Sequence, residues 1–310
     1  MSDLDVPDAV VRAAKALGGE SLEWLNTLPD RLATVAAAWN LQLGRSRQGG
    51  SGAYVVEAVT SDGQAAILKL HMIGHEPFDQ EVAVLRAAGG RGYATVFAHD
   101  PSLAATLLER LGKPLSRLNL PADDQMAVIC TTLKQTWVQR PAGLNLMTGA
   151  EKAELLASMI SEMWGEQGQP CTRAVMDRAL AFCEARAAAH LSANAVLVHG
   201  DAHPGNTLQS LAAPDQFKFV DPDGLLAEPA CDLAVLMRDW SEELLVGDVF
   251  ALAQARAHRL ATLTGVDAQA IWEWGFMERV STGLYAAKLG RAELGYPMLQ
   301  VAERLVDDGD

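Results

Sequence analysis

Cysteine is scarce, only four in 310 residues, and Cys130, Cys171, Cys183 and Cys231 form no C-x-x-C pair. A disulfide scaffold and a clustered-thiol metal module are therefore excluded, and reduced, packed thiols are expected. Positive charge is also in the minority. Lys and Arg number 25 against 39 Asp and Glu, a formal charge of −14, so the overall field repels nucleic acid and anionic membrane surfaces; it would draw in a cationic ligand, although charge alone is accounted for by solubility. No apolar run reaches membrane-spanning length, and Met1-Ser2-Asp3-Leu4-Asp5 carries acid where a secretory leader needs basic residues. A cytoplasmic chain, monomeric or weakly dimeric, is expected. Aromatics are few at 6%, whereas Ala and Leu are abundant, which leans toward helix.

The chain exceeds one ordinary hydrophobic core, so two lobes are expected. Val6 to Leu17 and roughly Ser21 to Asn40 read as two helices, with Pro29 opening the later part of the second. Alternating runs follow: Ala53 to Val59, the turn Ser61-Asp62-Gly63, then Ala65 to Leu70, a hairpin preceded by a glycine-rich turn. Pro77 to Ala88 reads as a helix stopped by Gly89-Gly90, and Ala94 to Ala98 and Ala104 to Leu108 as two strands. Beyond Arg110 the pattern is helical over Asp123–Gln139, Gly149–Gly165, Ala174–Leu191, Pro229–Arg238, Val246–Gly265 and Ala268–Gly290. A single hairpin interrupts it, Thr207-Leu208-Gln209 with Phe217 to Val220. The expectation is an α+β fold: a helical segment 1–41, a small five-stranded lobe 42–110 and a mainly helical lobe 111–310.

The chemistry concentrates in His199-Gly200-Asp201-Ala202-His203-Pro204-Gly205-Asn206, followed by Asp221-Pro222-Asp223-Gly224. Phosphoryl transfer needs a carboxylate at the attacking hydroxyl and hard oxygen ligands for magnesium. Asp201 would supply the first and Asn206 with Asp221 the second, and the hairpin between these two ligands is expected to bring them to adjacent strand ends. The competing reading, surface turn residues, is weakened by the length of the combined string. A zinc site on His199 and His203 would need a helical spacing that Gly200, Pro204 and Gly205 oppose.

This layout resembles that of protein kinases, with His-Gly-Asp in place of His-Arg-Asp. With Pro229-Ala230-Cys231-Asp232-Leu233-Ala234 downstream, it is similar to the aminoglycoside-phosphotransferase and choline-kinase superfamily, in its streptomycin 6-phosphotransferase and hydroxyurea-resistance branch. The resemblance runs from about Gln42 to Gly290. It implies a protein-kinase-like fold, Mg2+, and ATP or GTP as phosphoryl donor. It also implies a phosphate-cradling turn at Gly49, Gly50, Ser51 and Gly52, and a phosphate-contacting Lys69. Glu81 is then the partner of Lys69, against the alternative of a solvated helical glutamate. The hinge reads the purine through the Glu109 carbonyl and Leu111 amide, His199 orients the loop, and Asp232 braces it unless it is a plain helix-start acid. For the acceptor, a small, cationic, polyhydroxylated molecule such as streptomycin, the candidates are Glu228, Asp239, Trp240, Glu242, Trp274 and Glu278. Their acids would meet positive charge and their indoles sugar rings, unless they are solvated or core residues. Amino sugars, amino alcohols and hydroxyurea remain as alternative acceptors, and a nucleotide-binding protein without transfer activity is the alternative of a different class.

Overall fold

The computed structural model describes residues 4–47, 50, 52–75, 78–137 and 143–307. The chain divides into two compact units, Met1–Gly112 with Ser210–Ala213, and Lys113–Gln209 with Pro214–Asp310.

The first unit begins with three helices, α1 (Asp8–Leu17), α2 (Gly19–Asn26) and α3 (Leu28–Ala38). The sequence suggested two. The second is broken at Thr27 because Pro29 has no N–H to continue the ladder and instead occupies the first turn of a new helix. Strands β1 (Gln42–Arg47), β2 (Ala53–Val59) and β3 (Ala65–His71), helix α4 (Asp79–Ala88), and strands β4 (Val96–Asp100) and β5 (Ala105–Glu109) complete the unit. All pairings in the sheet are antiparallel, in the order β1-β2-β3-β5-β4. The period of two in β2 and β3 sends Tyr54, Val56, Ala58, Ala66, Leu68 and Leu70 to one face, where they share a core with Val10, Trp24, Leu28, Leu32 and Val35. The N-terminal helices are therefore the cover of the sheet. Lys69, one residue out of phase and paired with Val55 and Thr106, belongs to the opposite face. Helix α4 stops where Gly89 turns left-handed, φ 59°. Pro77, expected as its start, lies outside the described residues.

The second unit contains α5 (Ala122–Thr136), α6 (Gly149–Glu166), α7 (Arg173–Ala189), β6 (Val196–Val198), β7 (Thr207–Gln209), β8 (Phe217–Phe219) and β9 (Leu225–Ala227). Helices α8 (Ala230–Arg238), α9 (Ser241–Leu244), α10 (Val249–Thr264), α11 (Ala268–Lys288) and α12 (Ala292–Asp307) follow. The expected hairpin is β7 with β8, register Thr207 to Phe219. A second pairing, β6 with β9, joins Val198 to Leu225. Its strands have three residues each and no turn directly between them, so they give no local signal. Helix α11 packs against α6, α7, α8, α10 and α12, and is buried on nearly all sides from Ala270 to Leu284. A Cβ at Gly275 would collide with the Met237 side chain, so α8 approaches α11 only because glycine stands there. Among the described residues no helix is long and apolar enough to cross a membrane.

Candidate active site

The loop from His199 to Asn206 joins β6 to β7, and buried carboxylate contacts fix its backbone. Asp232, in the first turn of α8, accepts hydrogen bonds from the amides of His199 (3.1 Å) and Gly200 (2.8 Å) and from the Trp137 indole (2.9 Å). Burial raises the Asp232 pKa; these hydrogen-bond donors pull the other way without overcoming it. His199 is fully buried and bonded at both ring nitrogens. Nδ1 accepts from the Asp201 amide at 3.1 Å, so the proton sits on Nε2, which donates to the Val220 carbonyl at 3.0 Å. Burial pushes its pKa down, in keeping with a neutral ring. Through these two bonds the His199 ring ties the Asp201 amide to the Val220 carbonyl. Gly200 has φ 90°, and a Cβ there would lie 2.8 Å from Cβ of Asp223.

These bonds stitch the second acidic loop to the first. The Gly224 amide donates to the His199 carbonyl at 3.0 Å, and the Val220 amide to the Asn206 carbonyl at 3.0 Å. Asn206 Nδ2 donates to the Asp201 carbonyl at 3.1 Å, which leaves its Oδ1 as the group available to a cation. Asp221 stands two residues beyond the end of β8 in left-handed conformation, φ 54°. The β7–β8 register thus brings Asn206 and Asp221 to adjacent strand ends.

The Asp201 carboxylate is one-third exposed. Its Oδ1 lies 2.7 Å from Nη2 of Arg238, and its Oδ2 lies 3.5 Å from Nε2 of His203. The Gly205 amide donates to His203 Nδ1 at 2.9 Å, which directs the Nε2 proton toward Asp201. Burial favours the protonated acid, but the Arg238 guanidinium 2.7 Å away outweighs it and holds the Asp201 pKa below its ordinary value. At neutral pH the group is an ionised acceptor, able to orient a hydroxyl and take its proton as the bond to phosphorus forms.

Arg238 was missing from the residues picked out by sequence. Its available signal was position: it is the one basic residue of α8 and closes that helix, where the helix dipole favours a cation. Besides Asp201 it faces Asp239 Oδ1 at 3.4 Å and Glu278 Oε2 at 3.4 Å. Burial opposes its charge, yet the three carboxylates raise its pKa. Lys152 of α6, also unforeseen, lies 3.4 Å from Glu278 Oε1, and Glu278 raises its pKa in turn.

The acceptor candidates separate. Asp239 and Glu278 gather around Arg238, but the Glu278 side chain is only 7% exposed and already occupied by cations. Glu228 belongs to a different cluster, accepting from the Trp274 indole at 2.8 Å and from Arg186 at 3.3 Å. Trp274 is fully buried and presents no face to a ligand. Trp240 is half-buried in left-handed conformation, φ 52°, with the Arg256 guanidinium 5.9 Å from its ring centre. Glu242 is exposed in the first turn of α9.

In the first unit, Lys69 Nζ lies 2.8 and 2.7 Å from the two Glu81 oxygens, a half-buried pair linking β3 to α4. Gly52 accepts at its carbonyl from the Met72 amide at 2.9 Å, and Gly50 is exposed. Gly49 and Ser51 lie outside the described residues. The Glu109 side chain accepts from the Thr95 amide and hydroxyl, at 3.1 and 2.9 Å, and Leu111 is buried.

The model of the family described as "Aminoglycoside/hydroxyurea antibiotic resistance kinase" matches residues 38–290. The chain is 24% identical to a streptomycin 6-kinase of Streptomyces glaucescens over 97% of each chain. It is 31% identical to a hydroxyurea phosphotransferase of Kitasatospora aureofaciens, over 87% of this chain and 80% of the relative. Among solved structures, a thermostable mutant of the aminoglycoside phosphotransferase APH(4)-Ia superposes with TM-score 0.62 at 14% identity, covering 89% of this chain and 98% of that one. A choline kinase from Streptococcus pneumoniae gives 0.60 at 14% identity, covering 93% and 99%. Those two likenesses establish the fold.

Proposed function

As this chain belongs to the aminoglycoside/hydroxyurea antibiotic resistance kinase family, and is therefore a phosphotransferase using a nucleotide donor, we propose that it moves the γ-phosphoryl of ATP to a hydroxyl of an aminoglycoside such as streptomycin. The observation that carries the reading is Asp201: ionised, partly exposed, and set in a loop whose backbone is fixed by Asp232 and whose Asn206 adjoins Asp221. In this reading Asp201 orients the acceptor hydroxyl and receives its proton while the new O–P bond forms and the bond to the β-phosphate bridging oxygen breaks, releasing ADP. The Asn206 Oδ1 and Asp221 carboxylate are hard oxygen donors of the kind magnesium takes, and phosphate oxygens and water would complete its shell. Bound there, magnesium would neutralise phosphate charge. Lys69, steadied by Glu81, is assigned to the nucleotide phosphates, and the Glu109 carbonyl and Leu111 amide to the purine.

A cationic acceptor is favoured by charge. The chain carries a formal charge of −14, and Asp239 and Glu278 lie beside the Arg238 that meets Asp201, so acids are at hand for a positively charged acceptor. Four buried thiols and an ATP donor suit a cytoplasmic enzyme. Hydroxyurea is the second reading, favoured by the higher identity to the hydroxyurea phosphotransferase. The two are separated by measuring ADP release over aminoglycosides, amino alcohols, sugars and hydroxyurea, with product masses. Streptomycin should gain about 80 mass units, one phosphoryl group. Turnover of hydroxyurea or an uncharged sugar with none of any aminoglycoside would overturn the antibiotic reading.

A further inference from the structure

Arg238 is a planar fork with a different partner at each nitrogen. Nη2 meets Asp201 at 2.7 Å, Nε faces Asp239 at 3.4 Å, and Nη1 faces Glu278 at 3.4 Å and donates to the Thr282 hydroxyl at 3.2 Å. Because the guanidinium is rigid, fixing Nη1 and Nε fixes where Nη2 points. Glu278 and Thr282 stand four residues apart on α11, hence on one face, and both address Nη1. Glu278 is itself balanced: Oε1 meets Lys152 and Oε2 meets Arg238. Its burial leaves little surface for an acceptor to touch, and a buried carboxylate shared by two cations is suited to aligning them.

We propose that Glu278 is the positioning residue of the reacting carboxylate: from α11 it holds the Arg238 guanidinium against Asp201, while Lys152 balances its remaining charge. The proposal rests on the reading that Asp201 receives the acceptor hydroxyl. Without Glu278, Nη1 has no carboxylate partner and Lys152 and Arg238 repel across the gap, so Arg238 turns and Asp201 leaves its present geometry.

The test uses the full chain with Glu278→Gln, which keeps the side-chain shape, Arg238→Gln, and the double variant, each first shown to be folded by thermal melting. Steady-state turnover is measured on the acceptor found by the ADP-release screen. Glu278→Gln should lower kcat about tenfold or more with the acceptor KM within about twofold. In the Arg238→Gln background the same change should add nothing, because it acts through that arginine. A raised acceptor KM with kcat unchanged, or an undiminished effect in the double variant, would overturn the proposal in favour of direct acceptor contact. A crystal structure of Glu278→Gln needs no acceptor and so tests the proposal apart from the functional reading. Arg238 displaced from Asp201 supports it, and unchanged Arg238 and Asp201 refute it.

Discussion

Asp232→Ala is the perturbation with the most direct structural arithmetic. The substitution strips an acceptor from three donors at once, the His199 and Gly200 amides and the Trp137 indole. Charge-assisted bonds at roughly 1.5 kcal/mol each, the low end of their range, amount to about 4–5 kcal/mol. Part is returned, because burial of the ionised group is unfavourable and pushes its pKa upward. A net loss of about 3 kcal/mol is expected, a large share of the roughly 5–15 kcal/mol that stabilises a folded chain. The catalytic loop should suffer more than the fold, since two of the three donors are its own backbone. Urea unfolding followed by tryptophan fluorescence gives the stability loss, and steady-state kinetics the effect on turnover. A loss below about 1 kcal/mol with turnover unchanged would refute the claim that this carboxylate holds the loop.

Three further outcomes are expected. Lys69→Ala and Glu81→Gln should each weaken nucleotide binding and cut turnover by about a hundredfold, as read by titration calorimetry and kinetics; wild-type affinity in both would remove the pair from the nucleotide site. Asn206→Ala and Asp221→Ala should each raise the magnesium concentration needed for half-maximal activity by about tenfold or more, and an unchanged magnesium titration would contradict their role. Stability should fall on acidification below pH 6.5, the ordinary histidine pKa, because the unfolded chain protonates His199 before the folded one does. The fall is at most about 1.4 kcal/mol per pH unit from this group and ends below its depressed folded pKa. His199→Asn should flatten that slope in urea titrations from pH 7 to 5.5, and an equal slope in both proteins would refute the assignment.

How much was legible in the sequence depended on distance along the chain. The string from His199 to Asp223 is local, so its turn residues, hairpin and hard oxygen ligands could be read together, and the fold class followed from a strand-rich first third and helical remainder. Arg238 and Lys152 could not be found this way, because α6, α8 and α11 bring them to Glu278 from positions 40 and 126 residues away. Glu278 and Trp274 were assigned to the acceptor because an acid and an indole on a helix suggest a binding face. Helix α11 has almost no exposed face, so its polar residues are solved internally, Glu278 by cations and Trp274 by Glu228. The pairing of β6 with β9 was invisible for the related reason that the two strands are far apart along the chain with no turn directly between them, whereas the equally short β7 and β8 flank one.

The central claim is that Asp201 acts on the acceptor hydroxyl and not on the nucleotide. It is tested most directly by Asp201→Asn, comparing magnesium-ATP affinity by calorimetry with transfer of labelled γ-phosphate to streptomycin in a single turnover. Nucleotide affinity within about threefold of wild type, with transfer slowed about a thousandfold or more, is the predicted result. Transfer at the wild-type rate by the asparagine variant would contradict it.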